Sequence, residues 1–318
     1  MRWMLLCASM LLLTGCGTPS FLVTPVQNVH RLQEIEVQPG SGWSQPKIAL
    51  IEVEGMLSNV RTGGFMQPTE NKLSLFTQQM EAAARDPRVR AVVLRVNSPG
   101  GTVTATDTMY EIVQRFRKET GRPIIVSMQE VAASGGYYVS CGADTIVAHP
   151  TTVVGSIGVI FNAFDAEQGL QKLGIRNWVI KSGEFKDMGS PFKMLRSEER
   201  ELMQEMVDAY HERFVETVKR HRTLTDEKRA TDGRVFSGET ALALGLVDRL
   251  GMLDDALLIA REKADAPQAK VVMYKRPYGY RGSIYASSEV PEPRANIITI
   301  DLPDGVVLPK GFYYLWRP

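Results

Sequence analysis

Along most of the chain, short apolar runs alternate with stretches of helical period. Lys47 to Glu54 (KIALIEVE) reads as a strand, and Asn71 to Arg85 sets Leu73, Phe76, Met80 and Ala83 on one face of a helix that Asp86-Pro87 stops. Val89 to Val96 (VRAVVLRV) is apolar enough for a strand buried on both faces. A helix is expected from Thr104 to Thr120, ended by Gly121-Arg122-Pro123, and then a strand from Pro123 to Met128 (PIIVSM). Shorter strands are expected at Thr145 to Ala148, Gly158 to Phe161 and Asn177 to Ile180, with a helix over 165–173. From Ser197 to His221, Leu202, Met206, Tyr210, Phe214 and Val218 recur at four-residue steps, a face suited to a core or a subunit interface. Strands alternating with helices predict an α/β fold with a mostly parallel sheet and crossover helices.

The two ends differ from this middle. Met4 to Leu13 is too short an apolar run to span a bilayer but fits the core of a signal peptide. It closes with Leu13-Thr14-Gly15-Cys16, which resembles the lipobox of bacterial lipoproteins. That resemblance implies cleavage after Gly15 and a lipid on Cys16, hence a membrane-anchored lipoprotein of the bacterial cell envelope with its domain outside the cytoplasm. The expected organisation is a signal peptide at 1–15, a Pro-, Ser-, Gly- and Gln-rich tether at 16–46, one domain at 47–264 and a tail at 265–318. The tail holds seven of the 17 prolines and six of the ten tyrosines, so it is expected to be extended, with edge strands at Val271 to Tyr274 and Ile297 to Ile300. Its terminal Phe312-Tyr313-Tyr314-Leu315-Trp316 suits docking on a neighbour or contact with the lipid interface, but reads first as an extended arm packed on its own domain.

Composition narrows the possible functions. Hydrophobic and charged fractions of 44% and 23% exclude wholesale disorder and a polytopic membrane protein. The formal charge of +1 gives no global basic excess for nucleic acid, and losing Arg2 with the leader brings it to zero. Of three cysteines, Cys7 leaves with the leader and Cys16 is acylated, so Cys141 has no disulfide partner. The four histidines lack paired ligand spacing and no phosphate-binding loop motif occurs, so neither metal nor cofactor is expected.

Three glycine-rich clusters follow expected strands. Asn97-Ser98-Pro99-Gly100-Gly101 can turn with its N–H groups outward, as an oxyanion requires, although an ordinary Pro-Gly turn has the same sequence. In Ala132-Ala133-Ser134-Gly135-Gly136-Tyr137-Tyr138, a serine between small residues at a strand-to-helix turn presents its hydroxyl to an approaching carbonyl, though close packing needs small residues too. Val154-Gly155-Ser156-Ile157-Gly158 alone reads as a turn. A serine nucleophile needs a base. His149 and Lys186 are the rivals, the latter in Ser182-Gly183-Glu184-Phe185-Lys186-Asp187. A lysine base must be desolvated, which lowers its usual value of about 10.4 to roughly 7–8.

Together NSPGG at 97–101, ASGGYY at 133–138, GSIGV at 155–159 and SGEFKDMGSPF at 182–192 resemble the signal peptide peptidase SppA family of Ser-Lys proteases, over about Lys47 to Ala264. The resemblance implies a ClpP/crotonase-type fold and a serine endopeptidase that degrades signal peptides or other unfolded hydrophobic peptides through an acyl-enzyme. It implies Ser134 as nucleophile, Lys186 as general base 52 residues later, Gly101 and Gly135 as oxyanion-hole amides, and Ser156 as the hydroxyl that orients the lysine. Asp187 would oppose a neutral lysine and is expected to point away. The family also implies a homo-oligomer in which Ser and Lys meet across a subunit boundary. Two readings stand beside this one: a catalytically silent oligomeric scaffold, and a crotonase-like enzyme acting on acyl thioesters.

Overall fold

In the computed structural model, residues 32–41, 45–62, 70–276 and 311–316 are described. Cys16 and the expected strand at Ile297 to Ile300 lie outside them. The chain enters through β1 (Gln33–Gln38) and β2 (Lys47–Leu57), followed by a small hairpin of β3 (Arg61–Thr62) and β4 (Glu70–Asn71). Helix α1 (Lys72–Arg85) is capped by the Asn71 side chain, which accepts from the Ser74 N–H at 3.0 Å, and it stops where Pro87 has no N–H to offer. Then come β5 (Val89–Thr102), α2 (Val103–Thr120) and β6 (Ile124–Ala133). Helix α2 ends in a left-handed Gly121 at φ 64°. A one-and-a-half-turn helix α3 (Gly135–Ser140) and the short strands β7 (Thr145–Ala148), β8 (Val153–Gly155) and β9 (Ile160–Asn162) follow. The last third holds α4 (Glu167–Lys172), α5 (Ser197–His221), α6 (Glu227–Ala230), β10 (Val235–Ser237), α7 (Gly238–Ala243), β11 (Arg249–Leu250), α8 (Leu253–Lys263), β12 (Lys270–Lys275) and β13 (Gly311–Leu315).

The main path of the large sheet runs β1-β12-β2-β5-β6-β7-β11, and every pairing on it is parallel except that of edge strand β1. The two-residue strand period splits its buried side chains between two cores. Ile51, Val53, Val92, Leu94, Val126 and Met128 pack with Phe76 and Met80 of α1, Met109 and Val113 of α2, and Phe214 of α5. Their neighbours Ile48, Leu50, Val93, Ile125, Val147 and Met273 pack instead on Leu253, Leu257 and Ala260 of α8. The α/β class and the parallel sheet with crossover helices are therefore as the sequence indicates.

Three local expectations need correcting. Residues 33–38, placed in the tether, form β1, because a polar strand can pair at an edge with its outer face in water. The run Val271 to Tyr274 is no edge strand of a tail: within β12 it lies between β1 and β2, and Val271, Val272 and Met273 are fully buried. Asn177 to Ile180 forms no strand, since the chain offers it no partner and leaves Trp178 85% and Ile180 fully exposed.

Candidate active site

The chain brings all three glycine-rich clusters to the same place. Ser134 sits between β6 and α3 with φ 50° and ψ −116°, a region that non-glycine residues rarely enter. Its N–H donates to the Gly155 carbonyl at 2.7 Å, and its carbonyl accepts from the Tyr138 N–H at 2.9 Å, so both main-chain groups hold the bend. Parallel pairing of β6 with β8 puts Ala133 opposite Gly155, and Ser156 follows directly. On the other side, a side chain at Gly136 would meet the Ser98 carbonyl, and one at Gly100 (φ 110°) would run into the Gly135 amide. Glycine is thus required where the first and second clusters touch. The Ser98 hydroxyl fixes the first turn by donating to Gly55 O at 2.7 Å and accepting from the Gly100 N–H at 3.1 Å.

Ser134 is 1% exposed, and its Oγ has no hydrogen-bond partner among the described residues. A buried hydroxyl without a partner is costly, and such atoms concentrate at working sites. Ser156 is also held at positive φ (51°), with its N–H donating to Arg234 O at 2.8 Å. Two of the three non-glycine residues with positive φ among the described residues are therefore these two serines. Beside Ser156 opens a cavity of about 280 Å³, lined also by Ile160, Val207, Asp208, His211, Asp232 and Leu315. The lining residues from α5 and from the turn before β10 carry no motif, so sequence reading could not single them out.

Lys186 is placed apart. It is exposed on the segment after α4, and its amine makes no hydrogen bond or ion pair with the described residues. Its main-chain N–H donates to Gly183 O at 3.1 Å. Asp187 is turned to other partners, Lys181 and Lys193, both at 2.8 Å, and these two ammonium groups hold its carboxyl down at about 2. The rival base His149 hydrogen-bonds the Thr151 hydroxyl at 2.8 Å. Neither candidate base contacts Ser134 Oγ within one chain. Cys141 is buried, and desolvation pushes its thiol up to about 12, which makes it inert as a nucleophile. Among the described residues no cluster of three or more His, Cys, Asp or Glu could hold a metal ion, and no helix is long and apolar enough to cross a membrane.

One neighbour of the site carries no recognisable motif. Strand β13 lies antiparallel on Gly100–Thr102 at the end of β5 and on β9, with Tyr314 opposite Gly101 and the Trp316 N–H donating to Pro99 O at 2.7 Å. The aromatic run at 312–316 is indeed packed on its own domain, but the place it occupies is the rim of the site.

Residues 116–267 match Peptidase family S49, and residues 50–153 match Clp protease. A protein of Enterococcus faecium named as a signal peptide peptidase SppA is 34% identical over 236 residues, 74% of this chain and 68% of that one. Protease 4 of Salmonella typhi is 38% identical over 199 residues, and the match spans 62% of this chain but 32% of that longer protein. The chloroplastic serine protease SPPA of Arabidopsis thaliana is 29% identical over 259 residues, 78% of this chain and 38% of its own. With the parallel sheet, the strained serine and these matches in hand, the chain belongs to peptidase family S49, the signal peptide peptidase SppA family, and is a serine protease.

Proposed function

We propose that this protein is a membrane-anchored endopeptidase that cuts unfolded, hydrophobic peptides such as spent signal peptides through a Ser-Lys dyad. Ser134 attacks the peptide carbonyl, and its proton passes to the neutral amine of Lys186. The amide of Gly101, with that of Gly135, receives the oxyanion, and the Ser156 hydroxyl orients the lysine. Collapse of the tetrahedral intermediate expels the amine of the C-terminal fragment, which takes the proton from Lys186, and water then hydrolyses the acyl-Ser134 ester. The observation that carries this reading is Ser134 itself, a strained, buried serine with an unpartnered Oγ where three glycine-rich turns meet.

The lysine comes from a neighbouring copy. Among the described residues of one chain, the Lys186 amine is exposed with no partner while the Ser134 Oγ is buried with none. The surrounding segment also exposes Leu173, Ile175, Trp178, Ile180, Phe185 and Phe192, a cost that a second copy of the chain would remove. Burial in such an interface also supplies the desolvation that a lysine base requires. Lipid on Cys16, followed by the stretch before residue 32, would hold the assembly on the outer side of a bacterial membrane.

The test uses the assembled protein with a fluorogenic hydrophobic peptide and a serine-directed fluorophosphonate. Ser134 is expected to be the labelled residue, and Ser134→Ala and Lys186→Ala each to lower kcat at least about a thousandfold. Labelling elsewhere, or full turnover by either variant, would overturn the assignment.

A further inference from the structure

The stretch from Lys181 to Glu199 is tied together by charge. Lys181 and Lys193 both contact the Asp187 carboxylate at 2.8 Å, and Lys193 reaches on to Glu199 at 2.5 Å. Arg196 joins Glu199, at 3.3 Å, to Glu184, at 2.7 Å, and its guanidinium lies 5.1 Å from the centre of the Phe185 ring. Glu199, in the first turn of α5, is completely buried and also accepts the Arg196 N–H at 3.3 Å, so the network is rooted in a helix. On the other flank, Glu167 of α4 accepts the Met194 N–H at 2.6 Å. Exposed ion pairs contribute little, but here Asp187 is 14% and Lys193 20% exposed, and each carboxylate of the Lys193 bridge is shared by two cations. Hydrogen bonds to Asp187 and Glu199 hold the Lys193 ammonium above the usual lysine range, so it keeps its charge. Three cations (Lys181, Lys193, Arg196) thus cancel three carboxylates (Glu184, Asp187, Glu199). Lys186 lies inside this stretch, next to Asp187, yet its amine takes no part in the network.

We infer that Lys193 is a positioning residue for Lys186: by bridging Asp187 to Glu199 it moors the segment to α5 and occupies the carboxylate that would otherwise pair with the base, so that the Lys186 amine reaches the neighbouring copy without a counter-ion. This inference rests on the function proposed above. A lysine acts as a base only when neutral, and a carboxylate beside it favours the ammonium. Removing the Lys193 charge leaves the network with a net charge of −1 beside Lys186, and that charge acts more strongly once an interface has excluded water. The other titratable groups at the meeting point belong to the copy that supplies Ser134, where Asp208, His211 and Asp232 line the cavity beside Ser156. They stay the same in every variant compared below.

The test follows cleavage of a fluorogenic hydrophobic peptide by the assembled full-length protein between about pH 6 and 10, with assembly size checked by sedimentation. Wild type is compared with Lys193→Gln, Lys193→Arg and the double variant Lys193→Gln/Asp187→Asn. Glutamine keeps a donor for the two carboxylates and removes the charge. In Lys193→Gln the acidic limb of the kcat/KM profile is expected to move up by at least about 0.5 pH unit, lowering kcat/KM at pH 7 about threefold or more while the high-pH plateau is kept. Lys193→Arg is expected to keep the wild-type limb. Adding Asp187→Asn to Lys193→Gln is expected to bring the limb back, because it restores the charge balance without restoring the bridge. An unmoved limb, an equal loss at every pH, or a smaller assembly would overturn the inference while leaving the dyad intact. Full turnover by Lys186→Ala would instead remove the dyad, and this inference with it.

Discussion

Ser134 pays for its position with a backbone that most residues avoid, and the surrounding hydrogen bonds hold it there. The small residues at 132–136 make that bend legible in the sequence, since only such residues let β5, β6 and β8 approach each other so closely. The role proposed for Lys186 rests on the resemblance, because nothing among the described residues of one chain gives its amine a partner. A second residue-scale feature concerns stability. The Lys47 amine is 1% exposed and contacts Glu34 at 2.6 Å and Asp86 at 2.7 Å. Burial pushes the Asp86 carboxyl up, but hydrogen bonds from Lys47 and Arg88 outweigh that and bring it to about 2. Because this value is depressed below the usual carboxylate value of about 3.9, its contribution is present above about pH 4 and lost as pH falls towards 2. Asp86→Asn should therefore lower the unfolding free energy at pH 7 by about 1–3 kcal/mol, and the deficit should shrink at pH 2.5. Urea unfolding of both proteins at the two pH values measures this, and a pH-independent deficit would contradict the ion pair's role.

At the scale of elements, the helices and the buried strands were the readable part. Residues 103–120 and 197–221 carry long apolar stripes with clear stops, and VRAVVLRV and PIIVSM need burial on both faces. Strand identity failed where pairing, not composition, decides. Polar β1 exists because β12 offers it an edge, whereas apolar Asn177 to Ile180 has no strand to join. The stripe on α5 divides in the same way. Phe214 and Val218 are buried against the sheet, while Leu202 and Met206 remain more than one-third exposed in its N-terminal half. Periodicity shows that a face is apolar; which partner covers it is a property of the tertiary or quaternary structure. β13 is the extreme case, since its place beside Gly101 depends on a contact more than 200 residues distant in sequence.

At the scale of the whole molecule, one chain leaves the two members of the proposed dyad apart and an apolar segment exposed, and assembly would resolve both. Trp178 and Ile180 are among the most exposed large apolar side chains, so charge there should cost the fold little and the assembly much. The double variant Trp178→Asp/Ile180→Asp is expected to keep its unfolding free energy within about 1 kcal/mol yet to sediment as a smaller species without peptidase activity. An unaltered assembly would exclude this segment from the interface. The most direct test of a site shared between copies is complementation. Ser134→Ala and Lys186→Ala, each inactive alone, are dissociated, mixed in equal amounts and allowed to reassemble. If Ser134 of one copy works with Lys186 of the next, the mixed assembly recovers a substantial fraction of wild-type turnover, since some boundaries then carry both intact residues. If the mixture reassembles to full size and stays as inactive as its parents, the dyad is not divided between chains.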